Sequence, residues 1–132
     1  MRAAGCGPGP LRVSIVVPVL DEAPRLAGLL AQLHAGFPGC EVIVVDGGSS
    51  DGSPDLVEPP ARLVISARGR GRQLNAGAAA ATGDVLWFHH ADTDVEPAAL
   101  PQLRAALADP GVVGGGLSLR FDRRTLGCAG SR

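Results

Sequence analysis

The sequence predicts a layered α/β fold built on a mainly parallel sheet, and three observations carry that expectation. Short apolar runs rich in β-branched residues recur along the chain, at Val13–Leu20, Glu41–Asp46, Arg62–Ser66 and Val85–Phe88. Unbroken runs of this length suit strands covered on both faces, as in parallel sheets. They alternate with segments of helical character, and β-α-β alternation implies right-handed parallel crossovers. Finally, the first, second and fourth runs end in acids, at Asp21/Glu22, Asp46 and Asp92/Asp94. Ligands bind outside the carboxyl ends of strands in open parallel sheets.

Residues 1–11, with Gly5, Gly7, Pro8, Gly9 and Pro10, are expected to form a flexible tail. The first strand is Val13–Leu20, with Pro18 near its exit because proline cannot donate to a central ladder. Asp21 or Glu22 can cap a helix with Pro24 in its first turn. Leu26, Leu29, Leu30 and Leu33 then share one apolar face, and Gly36 and Pro38 end the helix. Strand two is Glu41–Asp46, followed by the polar loop 47–52 and a short helix near Pro54–Val57 with Ser53 as its cap. Strand three is Arg62–Ser66, and Arg68–Arg72 reads as a basic loop. Gln73–Ala81 is a small-residue helix closed by Gly83. Strand four, Val85–Phe88, reads as buried. Beyond it the pattern gives a helix over Glu96–Leu107, delayed by Pro101, and a glycine-weakened fifth strand at Val112–Phe121. The main domain is thus 12–121, with an unpatterned tail over 122–132.

At 132 residues the chain is one domain with enough apolar content for a core. The formal charge of −1 gives no general attraction to nucleic acid or anionic membrane. No run is long enough to span a bilayer. Cys6, Cys40 and Cys128 form neither a C-x-x-C pair nor a zinc spacing, which fits reduced thiols and a cytoplasmic protein.

The chemistry gathers after strand four, in V-L-W-F-H-H-A-D-T-D, Val85 to Asp94. Asp92 and Asp94 stand two apart, where one hard divalent cation could hold both, or one of them plus a diphosphate. A lone D-x-D is more often a surface loop that caps the next helix. Arginines at 68, 70 and 72 leave strand three at the same sheet edge. Taken alone they are equally well a solvated surface. Together, acids with a cation on one side and guanidinium groups on the other suit a nucleotide diphosphate.

Four ordered segments carry a resemblance: S-I-V-V-P-V-L-D-E, V-I-V-V-D-G-G-S-S-D-G-S, R-G-R-G-R-Q-L-N-A-G-A-A-A-A-T-G-D-V and L-W-F-H-H-A-D-T. Over Val13–Phe121 the chain resembles family 2 glycosyltransferases of the glycosyltransferase A fold. The H-A-D-T and G-R-x-x-Q-x-N-x-G wording is similar to a bacterial subgroup linked to arsenosugar and selenium-related radical-enzyme (radical-SAM) gene clusters. The resemblance implies a three-layer α/β/α nucleotide-diphospho-sugar transferase fold. It also implies transfer of a sugar from a nucleotide-sugar donor to an acceptor that the sequence leaves unnamed. Inversion at the anomeric carbon and a divalent cation, Mg²⁺ or Mn²⁺, are implied with it.

By the same resemblance, Pro18, Leu20 and Glu22 border the nucleoside and Asp46 lies near it. Gly47 stands where the family often carries a second acid that reads a pyrimidine, so the nucleobase stays open. Arg68, Arg70, Arg72, Asn75, Ala91 and Asp92 complete the donor-binding set, with Asn75 equally suited to loop packing. Asp51 matches a motif acid but suits a helix cap better. In the family register D-x-D falls on His90-Ala91-Asp92, and read literally it is Asp92-Thr93-Asp94. Asp92 belongs to both, so the metal set is Asp92 with Asp94 or His90. His90 could instead hydrogen-bond a phosphate. His89 points to the other side of the strand, and His34 is expected to be exposed.

The family's general base belongs to the acceptor-binding half, and no motif after Phe121 matches it. The expected reading is a C-terminally truncated chain, acceptor half incomplete, with the catalytic base beyond Arg132. The rival is a non-catalytic nucleotide-sugar-binding module. A haloacid-type phosphatase would need Thr or Val where Glu96 stands, and a lysine, which the chain lacks. A dinucleotide-binding domain would need G-x-G-x-x-G after strand one. Homo-oligomer formation is left open.

Overall fold

The computed structural model describes residues 12–91 and 99–109. In chain order the first unit carries strand β1 (Val13–Val19), helix α1 (Ala23–Gly36), strand β2 (Glu41–Asp46), a one-turn 3₁₀ helix (Ser53–Leu56), strand β3 (Arg62–Ile65), helix α2 (Arg70–Ala80) and strand β4 (Val85–Phe88). The chain divides after Pro97, and helix α3 (Ala99–Leu107) belongs to the second unit. Pro101 stands third in α3, where a missing N–H removes no intrahelical bond. The expected fifth strand, the two tails and Asp92 to Glu96 lie outside the described residues.

All four strands are parallel, in the order β3-β2-β1-β4. Every pairing is between parallel neighbours, as the unbroken apolar runs require. β1 is central and almost wholly buried, and β2 likewise. Pro18 pairs with Val45 of β2, while the β4 ladder stops at Val16–Phe88 and His89 N–H donates to the Val16 carbonyl at 2.9 Å. Backbone groups of residues 16 and 18 face the same neighbour, so the proline nitrogen points past the end of β4 and costs the sheet no ladder bond.

The two sheet faces are covered by different helices. Val16, Ile43 and Val45 form a fully buried cluster that packs with Val64 and with Leu74, Ala76 and Ala80 of α2. Ile15 and Trp87, in register, point to the opposite face. There the Phe37 ring, at the end of α1, meets Trp87 edge-on with centroids 5.4 Å apart. Leu26, Leu29, Leu30 and Leu33 of α1 are all buried, as their spacing predicts. The result is the three-layer α/β/α arrangement.

Four expectations need correction. Helix α2 begins at Arg70 rather than Gln73: Gly69 turns the chain with φ 134°, and the Gln73 N–H closes the first turn on the Gly69 carbonyl at 2.8 Å. β4 is not buried throughout; Trp87 is inside, but Leu86 and Phe88 on the other face are 42% and 46% exposed. Gly83 is not a left-handed helix cap. It gives its N–H to Ser14 Oγ at 2.9 Å, and a Cβ there would lie 2.5 Å from that oxygen, so the position demands closeness rather than positive φ. His34 is half-buried rather than exposed.

Candidate functional site

The strand order reverses at β1: β2 and β3 lie on one side, β4 on the other. Such a switch point opens a crevice at the carboxyl ends of the strands, because successive connections leave in opposite directions. A cleft of about 260 Å³ opens at that edge. The exit of β1 lines it with Pro18, Val19, Leu20 and Glu22. The start of α2 contributes Arg68, Gly69, Arg70 and Gln73, and the exit of β4 contributes His90 and Ala91.

The loops behind the cleft are built by their own side chains. Asp46 is 2% exposed, and its carboxylate accepts from Gly48 N–H and Ser49 N–H, both at 2.9 Å, and from Ser49 Oγ. It therefore folds the β2 exit into a tight turn. Asp21, at φ 55°, accepts from Ser50 N–H at 2.8 Å and donates its own N–H to Ser49 Oγ at 2.8 Å. Asp51 reaches across to accept the Ala23 N–H at 3.0 Å, so the first turn of α1 is capped from the neighbouring loop. Its Oδ1 accepts from the Ser53 hydroxyl and N–H. These bonds, that from the Ser53 hydroxyl first, lower the Asp51 pKa below the ordinary 3.8. Ser53 in turn accepts the Glu22 N–H at 3.1 Å.

Two contacts shape the cleft itself. Arg70 Nη1 lies 3.2 Å from His90 Nε2. The guanidinium can only donate, so the contact is a hydrogen bond with Nε2 as its acceptor. Gln73, 5% exposed, donates its side-chain Nε2 to the carbonyls of Val19 at 2.9 Å and Val45 at 3.0 Å. The Val19 carbonyl also takes the Gly47 N–H at 3.0 Å, so the amide adds a second donor at the strand ends and ties α2 to both β1 and β2.

The model of glycosyl transferase family 2 matches residues 14–127. The chain belongs to that family. A mannosyltransferase of Pyrobaculum calidifontis, solved with GDP-Man and Mn²⁺, is 29% identical with a TM-score of 0.69, over 80% of this chain and 34% of that one. Glucosyl-3-phosphoglycerate synthase of Mycobacterium tuberculosis, solved with Mn²⁺ and UDP, is 26% identical with a TM-score of 0.64, over 75% and 40%. An undecaprenyl-phosphate 4-deoxy-4-formamido-L-arabinose transferase of Aeromonas hydrophila is 34% identical over 77% of this chain and 36% of its own. An uncharacterized glycosyltransferase of Nostoc is 31% identical, over 79% and 35%. The chain thus spans about a third of the length of these curated relatives.

In this family 2 chain, six of the predicted donor residues meet at the cleft, Pro18, Leu20, Glu22, Arg68, Arg70 and Ala91, together with His90 of the predicted metal set. Arg72 and Asn75 do not line it; both are exposed on α2, because the helix starts at Arg70 and turns them outward. Asp46 lies behind the cleft, its oxygens taken by the loop it folds. Asp51 is a cap, as its position suggested. His89 is buried, with its ring edge-on to Trp87 at 6.1 Å. Asp92 and Asp94 lie outside the described residues.

Of the two acidic strand exits within the described residues, that of β1 reaches the cleft through Glu22 and that of β2 does not. Among the described acids Glu22 alone lines the cleft, and no three metal-ligating side chains come together among the described residues. The described rim offers one imidazole, whose Nε2 faces Arg70, and one carboxylate; these two do not make a divalent site. Gln73 is the residue that sequence reasoning passed over. It stands in the quoted G-R-x-x-Q-x-N-x-G segment, but a glutamine on a small-residue helix gives no sign that it will be buried against strand ends.

Proposed function

We propose that the chain binds a nucleoside-diphosphate sugar in this cleft and serves the transfer of the sugar to an acceptor oxygen, with inversion at the anomeric carbon. The observation that carries the reading is the meeting of the β1 exit, the Arg68–Gln73 segment and the β4 exit around one cleft at the switch point of a parallel sheet. Arg68 and Arg70, both exposed at its rim, suit the diphosphate, for which guanidinium groups offer paired donors. Nucleotide-sugar and nucleotide complexes of similar structures support the same ligand class.

The reaction joins the acceptor oxygen to the anomeric carbon as the bond to the diphosphate breaks. The nucleoside diphosphate leaves with the electron pair, and the acceptor loses any proton it carried. Arg70 stabilises the charge gathering on the leaving group. His90, 3.2 Å from Arg70, adds an imidazole to the same rim. A Mg²⁺ or Mn²⁺ ion held by Asp92, with Asp94 or His90, would supply further electrostatic stabilisation of the diphosphate. The Arg70 contact favours Asp94 over His90 as the second ligand, since a cation at Nε2 would face the guanidinium. The H-A-D-T and G-R-x-x-Q-x-N-x-G segments support the narrower bacterial subgroup named above.

The test is calorimetric titration of a panel of nucleoside diphosphates and their sugars into wild type and Asp92→Ala, with and without Mn²⁺. Metal-dependent binding that Asp92→Ala abolishes supports the reading. Equal, metal-independent binding in both proteins favours a non-catalytic nucleotide-sugar module.

A further inference from the structure

We infer that the side-chain oxygen of Gln73 is the hydrogen-bond acceptor that reads the nucleoside of the bound nucleotide, in space that Gly47 leaves free. The inference rests on the proposed reading of the cleft as a nucleotide site, and it adds the residue that discriminates among nucleotides.

The amide cannot turn. Its nitrogen points at two carbonyls, those of Val19 and Val45, and a flipped amide would set oxygen against oxygen at both. Oε1 is thus forced to the other side, where it accepts no hydrogen bond from the described residues. Gln73 nevertheless lines the cleft while being 5% exposed. Oε1 is therefore an acceptor held in a single orientation in the cleft wall, a fixed place for a ligand's donor.

Gly47 belongs to the same arrangement. A Cβ at position 47 would lie 2.8 Å from Gln73 Cδ and 2.9 Å from Oε1. No larger side chain can occupy the β2 exit while the Gln73 amide sits there, so the two positions exclude each other. The ligand's charge also sorts itself. An amide oxygen repels phosphate, whereas Arg68 and Arg70 at the exposed rim attract it. Gln73, deeper in the wall, is left to the uncharged nucleoside. Donors there are of two kinds, a nucleobase N–H or a ribose O–H, and both are met by the same oxygen.

The experiment measures affinities of the full chain for UDP and GDP, for N3-methyl-UDP and N1-methyl-GDP, and for the 2′-deoxy and 3′-deoxy forms. In wild type at least one analogue lacking a donor should bind about tenfold more weakly than its parent, the loss of one good hydrogen bond. A methyl-base penalty assigns the bond to the base, and a deoxy penalty assigns it to the ribose. In Gln73→Met, which keeps the volume and removes the acceptor, the ratio of parent to analogue should fall to about one. In Gly47→Asp/Gln73→Ala, where a carboxylate enters the vacated space, discrimination should return. An unchanged ratio in Gln73→Met, or no penalty in wild type, overturns the inference while leaving the cleft a nucleotide site. Absence of any nucleotide binding to wild type removes both. If Gln73→Met fails to fold, the double variant decides: discrimination equal to wild type supports the inference, and its absence overturns it.

Discussion

Gly77 shows at single-residue scale how little room the helix-to-sheet contact leaves. A Cβ there would lie 2.3 Å from Val16 Cγ1 and 3.0 Å from Val45 Cγ2. The glycine of the N-x-G segment is thus a packing residue that lets α2 rest on β1 and β2. Gly77→Ala gains helix propensity of about 1 kcal/mol, but overpacking a core site costs about 1–3 kcal/mol. Because both neighbours are fully buried valines, the strain should win, and denaturant unfolding should show net destabilisation of about 1–2 kcal/mol. Val16→Ala in the same chain should recover part of it. At the cleft, Arg70→Ala should weaken nucleoside diphosphate binding about 10–100-fold, the value of a charge-assisted hydrogen bond. Calorimetry checks it, and an uncharged nucleoside should be indifferent to the change.

Between elements, the decisive joints are polar. At the amino edge of the sheet Glu41 opens β2 and gathers Ser14 of β1, Thr82 after α2, and Arg62 of β3. Burial, the largest single influence, opposes its ionisation, but bonds from Thr82 N–H, Ser14, Arg62 and the Thr82 hydroxyl together outweigh it, and its pKa lies below the ordinary 4.5. The linkage sign follows. Between the lowered folded value and 4.5 the unfolded chain binds the proton and the folded chain does not. The contribution is fully present above 4.5 and is lost as pH falls through the folded value. Glu41→Gln should therefore lower stability at neutral pH by about 1–3 kcal/mol and flatten the acid limb of the stability profile. Urea unfolding from pH 7 to pH 3 reads both. Asp51, held down by Ser53 and Ala23, adds to the same acid sensitivity at the carboxyl edge.

Across the molecule, the strand order is what makes a site. Placing β4 beside β1 brings the β4 exit within reach of residues some seventy positions earlier in the chain. A ligand bridging the two exits should stabilise the first unit as a whole. At about 100 times its dissociation constant it should add about 2.7 kcal/mol, seen as a rise in thermal midpoint with nucleotide concentration. Arg70→Ala should need correspondingly more ligand for the same rise. Among the described residues no helix is long and apolar enough to cross a membrane.

The four described strands, the leucine face of α1 and their parallel topology could all be read from residue order, because burial period and turn chemistry are local properties written along the chain. So could part of the cleft: the idea that strand exits share an edge puts Glu22, Arg68 and Arg70 together, while Pro18, Leu20, His90 and Ala91 follow from the family resemblance. Tertiary structure decided the rest. Whether Asp46 faces a ligand or folds its own loop depends on Ser49, and whether Gln73 is solvated or buried depends on the carbonyls of Val19 and Val45. Likewise, the space open at Gly47 is set by a side chain from a different element. Pattern gives each residue its element and its face, but the partner that uses up a hydrogen bond or a volume arrives from elsewhere in the chain. Only the folded arrangement determines which polar atoms remain to bind something else.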